Sequence, residues 1–294
     1  MKKMNPINDG YFSAISLKYK KRTLMNNNVL IIGTGTIGEP LIGLLANFKK
    51  KLKINVYFHK RTPLIDEVAK VNSLIDRGAN LVVDEDQVKA FQELGHEPVL
   101  VYEAALTLCD VVIDCTPAGN LAKKKHYLPL ASKKGKRKVF IAQGSEKGFG
   151  IPYAYGINDS VLSSNLDFIQ VVSCNTHNIS SIIKTLAPNI NNLVYGDFTC
   201  IRRANDISQE DGFIASPQVG KHPDIRFGTH HARDTYDLFR TVHECPNIFS
   251  SALKINTQYM HIIRFNLQLK GHAAKDMIID RLKENKFTAL TYKT

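Results

Sequence analysis

No stretch of this sequence approaches the ~18–20 consecutive apolar residues that a membrane-crossing helix needs, which sets aside a helical membrane protein. An apolar signal-peptide core ahead of a cleavage site is also missing, so the chain is expected in the cytoplasm. The five cysteines (Cys109, Cys115, Cys174, Cys200, Cys245) form no C-x-x-C pair. That spacing suggests neither a zinc site nor a disulfide framework, and it fits a reducing compartment. There is no P-loop, EF-hand, zincin or G-x-S-x-G motif, no internal repeat and no low-complexity tract.

Positive charge is what the chain has in excess. Its formal net charge is +12, and the cations are clustered. Lys18, Lys20, Lys21 and Arg22 lie near the start, Lys49 to Lys51 follow the first long helical pattern, and Lys123 to Lys125 and Lys133 to Lys138 form two more groups. No nucleic-acid recognition motif or array of stacking aromatics accompanies them, so the favoured reading is a basic protein that handles anionic small molecules. With 294 residues, 44% of them hydrophobic, the chain has material for two domains. Residues 1–25 read as a basic extension, with two domains over 26–165 and 166–294.

"NVLIIGTGTIG" places a short apolar strand, Val29 to Ile32, directly before Gly33-Thr-Gly35-Thr-Ile-Gly38, and a helical pattern through Leu41, Leu44, Leu45 and Phe48 follows. In that strand–turn–helix context each glycine has a task. Gly33 makes the tight turn, Gly35 lets the backbone approach a pyrophosphate, and Gly38 lets the helix pack closely on the strand. The N–H groups at the helix start then face the phosphates.

A second strand, Ile54 to Phe58, runs into His59-Lys60-Arg61-Thr62-Pro63. An NAD-selective site usually places a carboxylate there to hold the ribose 2′-hydroxyl, whereas cations accommodate a 2′-phosphate. Lys60 and Arg61 therefore point to NADP or NAD, with NADP favoured. "DVVIDCTPAGN" (110–120) and "KVFIAQGSE" (138–146) read as further buried strands, so Thr116 to Gly119 and Gln143 to Ser145 should border the nicotinamide half. Alternating strand and helix signals make the class α/β.

"VVSCNTHNISS" (171–181) delivers Cys174 to the point where a helical pattern begins, with Ile179, Ile182, Ile183 and Leu186 recurring behind it. Ser173 or Asn175 is positioned to cap that helix. A thiol at a helix N-terminus sees the positive end of the dipole, which lowers its pKa from ~8.5 to roughly 3.5–7.5. The competing reading is a small buried hydrophobe at a strand end.

"GTGTIG", "HKRTP", "CDVVIDCTPAG", "IAQGSEK", "VVSCNT", "RRAND", "GTHHARD" and "QYMHI" occur in the order found in archaeal-type (type II) glyceraldehyde-3-phosphate dehydrogenase. The chain resembles that family over about residues 27–285. The resemblance implies a Rossmann domain followed by an α+β catalytic domain with a mixed or antiparallel sheet. It also implies a homotetramer, NADP or NAD as cofactor, and glyceraldehyde 3-phosphate and inorganic phosphate as partners. By motif, Cys174 matches the nucleophile, with Ser173, Asn175 and Thr176 beside the substrate. Thr36, Ile37 and Gly119 match nucleotide-contacting positions, and Arg203 a cofactor-side arginine with Arg202 next to it. His230 and His231 match the substrate-side pair, and His261 a histidine proposed as base. Departures from the pattern include His177 and Asn178, where the family has threonine and glycine, and Ala232-Arg233 after the double histidine.

The implied chemistry is consistent with these residue types. Aldehyde oxidation by hydride transfer needs a soft nucleophile to form a thiohemiacetal, and a histidine to take its proton. Backbone N–H groups after Cys174 and the Asn175 amide are candidates to stabilise the oxyanion. Phosphate release of the thioester then requires two anion pockets, for which Arg202, Arg203, His230 and His231 are the candidates. Two other readings compete: a catalytically weak nucleotide-binding paralogue with a regulatory or binding role, and a dehydrogenase for another phosphorylated aldehyde.

Overall fold

The computed structural model describes residues 27–131, 137–144, 146–163, 165–203, 216–256, 260–271 and 273–291. The basic extension, most of the Lys133 to Lys138 cluster, Ser145, and parts of "RRAND" and "QYMHI" lie outside the described residues. Among those described, no helix is long and apolar enough to cross a membrane. The chain divides into two compact units, with the boundary between Ala142 and Gln143.

The first unit alternates β1 (Asn27–Ile32), α1 (Gly38–Leu52), β2 (Ile54–His59), α2 (Val68–Asp76), β3 (Asn80–Val83), α3 (Val88–Glu93), β4 (Leu100–Val101), α4 (Tyr102–Leu108) and β5 (Val111–Asp114). A helical stretch containing α5 (Gly119–Ala122) and α6 (Leu128–Ala131) then leads to β6 (Val139–Ala142). These strands lie in the order β4-β3-β2-β1-β5-β6, and neighbours run parallel. Parallel strands covered on both faces need apolar side chains at successive positions rather than alternating ones. Leu30, Ile31, Val56 and Phe58 accordingly have no exposed surface, and Ile42 and Ala46 of α1 close one face. Each such side chain contributes about 1.5–3 kcal/mol through burial. Sequence order reverses at β1, which sits between β2 and β5, so a crevice opens at the carboxyl ends of β1 and β5. This is a Rossmann domain.

The second unit begins with the parallel pair β7 (Ile151–Tyr153) and β8 (Phe168–Val171), and β8 feeds α7 (Cys174–Leu186). It continues with β9 (Leu193–Arg203), β10 (Gln218–Val219), α8 (His230–Arg240), β11 (Ile248–Ile255), β12 (Ile262–Leu269) and α9 (Lys275–Glu284). A mixed sheet runs β10-β11-β9-β12, with β11 parallel and β12 antiparallel to β9. Ile179, Ile183 and Leu186 of α7 turn inward at helical spacing, and Leu238 and Phe239 of α8 join them in the core. Phe198, Cys200, Ile248 and Ala252 supply the sheet's side of that core.

Candidate active site

At the carboxyl end of β1, the three motif glycines carry different loads. Gly33 has φ +93°, a conformation that L side chains rarely adopt, so the tight turn requires glycine. A methyl group on Gly38 would lie 1.9 Å from the Gly33 carbonyl oxygen, so α1 can start where it does only without a Cβ. A methyl on Gly35 would meet no described atom within 4 Å. Packing therefore does not demand glycine there. No side chain caps the first turn of α1, whose N-cap is Ile37. The Glu39 N–H donates to the Gly35 carbonyl (3.0 Å), the Leu41 N–H to the Ile37 carbonyl (3.4 Å), and Pro40 has none, so this first turn offers few N–H groups to an anion.

A cavity of about 460 Å³ opens beside Gly33 and Thr34 and takes in His59, Lys60, Arg61, Glu67, Tyr102, Asp114 and Tyr127. Of the residues anticipated from sequence, Gly33, Lys60 and Arg61 line it, whereas Gly35, Thr36, Ile37, Gly38 and Gly119 do not. Asp114 is buried and fully engaged. Its carboxylate accepts from the Thr116 N–H (2.9 Å), the Thr116 hydroxyl (2.7 Å) and the Tyr127 hydroxyl (2.6 Å), fixing the turn after β5. Burial pushes the neighbouring Tyr102 phenol up to about 12, so it remains a neutral hydrogen-bonding group. His59 lies 3.1 Å from Asp84, but burial outweighs that carboxylate and lowers the imidazole pKa.

The cations after β2 are not alone, as sequence suggested. Glu67, from the 3₁₀ turn Ile65–Glu67, pairs with the buried Lys60 ammonium and accepts from Lys70 at 2.6 Å. Arg61 is exposed. Sequence reasoning missed Glu67 because it lies beyond the end of β2, where the selectivity carboxylate is normally sought.

In the second unit, Ser173 is the N-cap of α7, and its extended backbone (φ −64°, ψ 158°) turns the chain from β8 into the helix. Its hydroxyl lies 2.9 Å from the Thr176 hydroxyl and accepts from the Thr176 N–H at 3.4 Å. Cys174 is the first helical residue and is exposed, so it is not a buried core hydrophobe. Asn175 and Thr176 are buried beneath it. Cys109 and Cys115 are pushed up to about 12, and Cys200 to about 11, in each case chiefly by burial. A nearby Cys174 adds to the rise at Cys200, which places the exposed sulfur close to β9. His177 contacts the Tyr155 carbonyl at 3.0 Å, which gives that departure from the family pattern a structural partner.

His230 and His231 open α8 with their rings 4.0 Å apart, so the double histidine begins a helix. His230 is exposed, and burial within the site lowers its pKa, opposed by Asp234 one turn along and reinforced by Arg202 and Lys147. His231 is 2% exposed, and neither ring nitrogen has a partner among the described residues. Burial, then the charges of His230, Arg202 and His261, push it down to about 3. Arg202 likewise has a buried Nε with no partner among the described residues.

Arg202, His230 and His231 line one cavity of about 370 Å³ together with Thr229, Lys221 and Lys254. Among the described residues its walls carry three permanent cations and no carboxylate. Lys254 and Arg202 stand directly opposite each other in the β11–β9 register, an arrangement of like charges that costs energy unless an anion offsets it. Neither Lys221 nor Lys254 was anticipated: the strand pairing reveals Lys254, and Lys221 lies two residues beyond β10.

Cys174 does not line that cavity, and Ser173 lines a smaller one of about 180 Å³ with Gln170, Lys147 and Asp234. Arg203 lies outside both cavities, and its N–H donates to His261 Nδ1 at 3.2 Å. A neutral His261 ring that accepts at Nδ1 carries its proton on Nε2.

No family model matches the chain. Among curated proteins it is similar to the glyceraldehyde-3-phosphate dehydrogenase of Picrophilus torridus, at 30% identity over 264 residues, covering 87% of this chain and 70% of the relative. The protein of the same name from Methanopyrus kandleri is 29% identical over 265 residues, covering 87% and 71%. That from Thermoplasma volcanium is 27% identical over 256 residues, covering 85% and 69%.

Proposed function

The chain belongs to the archaeal-type glyceraldehyde-3-phosphate dehydrogenase family as a divergent member, and from that premise we propose that it oxidises glyceraldehyde 3-phosphate to 1,3-bisphosphoglycerate. The observation that carries this reading is the cavity lined by Arg202, Lys221, Lys254 and the two histidines, whose charged side chains among the described residues are all cations, which suits a phosphorylated substrate and inorganic phosphate.

The turn from Gly33 to Gly38 and the cavity beside it would hold NADP or NAD, and the bound nicotinamide supplies the hydride acceptor. The rest of the work falls to this chain. Cys174 sulfur adds to the aldehyde carbon, the carbonyl π electrons move to oxygen, and the proton leaving the thiol passes to that oxygen to complete the hemiacetal. N–H groups at the start of α7 are candidates to hold that oxygen. His230, exposed and with a lowered pKa, takes the hemiacetal proton as the carbon is oxidised to a thioester. His261 is the weaker candidate for base, because its Nδ1 already accepts the Arg203 N–H and its other nitrogen carries the proton. Arg202 and His231 orient an anion, and phosphate oxygen attacks the thioester carbon to give the acyl phosphate and return the thiolate. We read the exposed Val219 (83%), Met260 (69%) and Ile262 (52%) as surface covered by further copies in a homotetramer.

The test is formation of NADPH or NADH from glyceraldehyde 3-phosphate and phosphate with purified protein. Phosphate-dependent turnover supports the reading. Coenzyme binding without turnover on this aldehyde or any other phosphorylated one refutes it in favour of a nucleotide-binding paralogue.

A further inference from the structure

The cavity beside Gly33 has a charge arrangement that the residues after β2 do not disclose. Lys60 is 5% exposed at its side chain and its ammonium rests on one oxygen of Glu67, while Lys70 donates to the other at 2.6 Å. Lys70 also lies 3.6 Å from Glu39. Burial alone would raise the Glu67 pKa, but the hydrogen bonds and charges of Lys60 and Lys70 outweigh it and hold the group below the ordinary range. Glu67 is therefore an anion at neutral pH, and the charge of Lys60 is already offset.

A ribose 2′-phosphate and a ribose 2′-hydroxyl meet this pair differently. The phosphate is an anion that must draw Lys60 away from a carboxylate and then lie beside that carboxylate. Like charges in contact disfavour that arrangement. The hydroxyl is a donor, for which a fixed carboxylate is the usual acceptor in dinucleotide sites. Arg61 and Lys125 are exposed cations of the same cavity, able to meet a phosphate from the solvent side.

We propose that Glu67 is the coenzyme-selectivity residue of this protein: delivered by the turn Ile65–Glu67, it restrains Lys60 and so brings NAD within reach of a site whose strand-end sequence favours NADP. The inference rests on the dinucleotide reading of this cavity.

The experiment compares binding of NADPH and NADH to wild type, Glu67→Gln, Glu67→Ala, Lys60→Met and Lys70→Met. The chain has no tryptophan, so emission of the reduced nicotinamide is read directly. Glu67→Gln should tighten NADPH about tenfold while NADH stays within about twofold or weakens, because a freed Lys60 meets the phosphate as a charge-assisted pair. Glu67→Ala should move the ratio the same way. Lys60→Met should lose NADPH selectively. Lys70→Met leaves Glu67 to Lys60 alone and should weaken NADPH further, which gives a prediction of opposite sign should a Glu67 variant fail to fold. Parallel changes in both coenzymes, or an unchanged ratio across the folded variants, overturn the proposal. Failure of the wild-type chain to bind either coenzyme overturns the reading of the cavity, and this inference with it.

Discussion

Lowering the pH from 7 to 5 should cost the protein about 2 kcal/mol of stability through His231 alone. An unfolded histidine titrates near ~6.5, whereas burial and the charges of His230, Arg202 and His261 push folded His231 down to about 3. Between those values the unfolded chain binds a proton that the folded chain does not. The stability of the neutral ring is thus complete above the unfolded pKa and is lost as pH falls towards the folded one. Each pH unit inside that window costs about 1.4 kcal/mol. His231→Leu removes the titration without removing a hydrogen bond, since neither ring nitrogen has a partner among the described residues. Denaturant unfolding of wild type and variant at pH 7, 6 and 5 isolates the effect. His59 and His96 are also shifted downwards but are common to both proteins and cancel in the difference, whereas His230, whose ring lies 4.0 Å from His231, is controlled for with the His230→Gln background. Inorganic phosphate should flatten the wild-type slope, because an anion in the cavity favours the imidazolium. Identical pH slopes in the two proteins would refute the reasoning.

Gly38→Ala should destabilise the first unit by about 3 kcal/mol and weaken coenzyme binding, because its Cβ meets the Gly33 carbonyl at 1.9 Å and backbone cannot yield as a side chain can. Thermal unfolding at the wild-type temperature would contradict this. Of the five cysteines, Cys174 should be alkylated fastest by iodoacetamide at neutral pH, with exposed Cys245 as the internal comparison and buried Cys109, Cys115 and Cys200 far slower. Cys174→Ala should abolish turnover while leaving unfolding and coenzyme titration near wild type. Labelling of Cys245 alone, or an active alanine variant, would remove the nucleophile assignment.

Local signals carried the parts of this molecule that local chemistry dictates. A strand buried on both faces has to be continuously apolar, so "NVLII" before the glycine turn announced β1, and Ile179, Ile183 and Leu186 announced the inner face of α7. Ser173 and Cys174 were placed at a helix start because a capping residue directly preceded the apolar repeat. What could not be read depends on partners distant in the chain. Lys254 became part of a site only because the β9–β11 register sets it opposite Arg202. Asp114 reads as the end of an apolar strand, and nothing local shows that Thr116 and Tyr127 close around it. The double histidine could not be told from a turn, since Thr229 makes no side-chain cap to the helix it begins.

Two groups of cations in this chain look alike as sequence, and the fold gives them opposite meanings. Lys60 and Arg61 follow β2, and Arg202 and Arg203 end β9, each a basic pair at a strand's carboxyl end. The first pair lies beside Glu67, whose carboxylate offsets Lys60 and is itself steadied by Lys70. A site balanced in that way loses little when its ligand is uncharged. In the second group Arg202 shares its cavity with Lys221, Lys254 and two histidines, and no carboxylate among the described residues lines it. Its buried Arg202 and His231 nitrogens, without partners among the described residues, carry a desolvation cost that only an acceptor or an anion relieves. On the proposed function, the phosphorylated ligand would be met in the second unit. In the first unit, Glu67 offsets the buried Lys60 of the other pair and leaves Arg61 exposed.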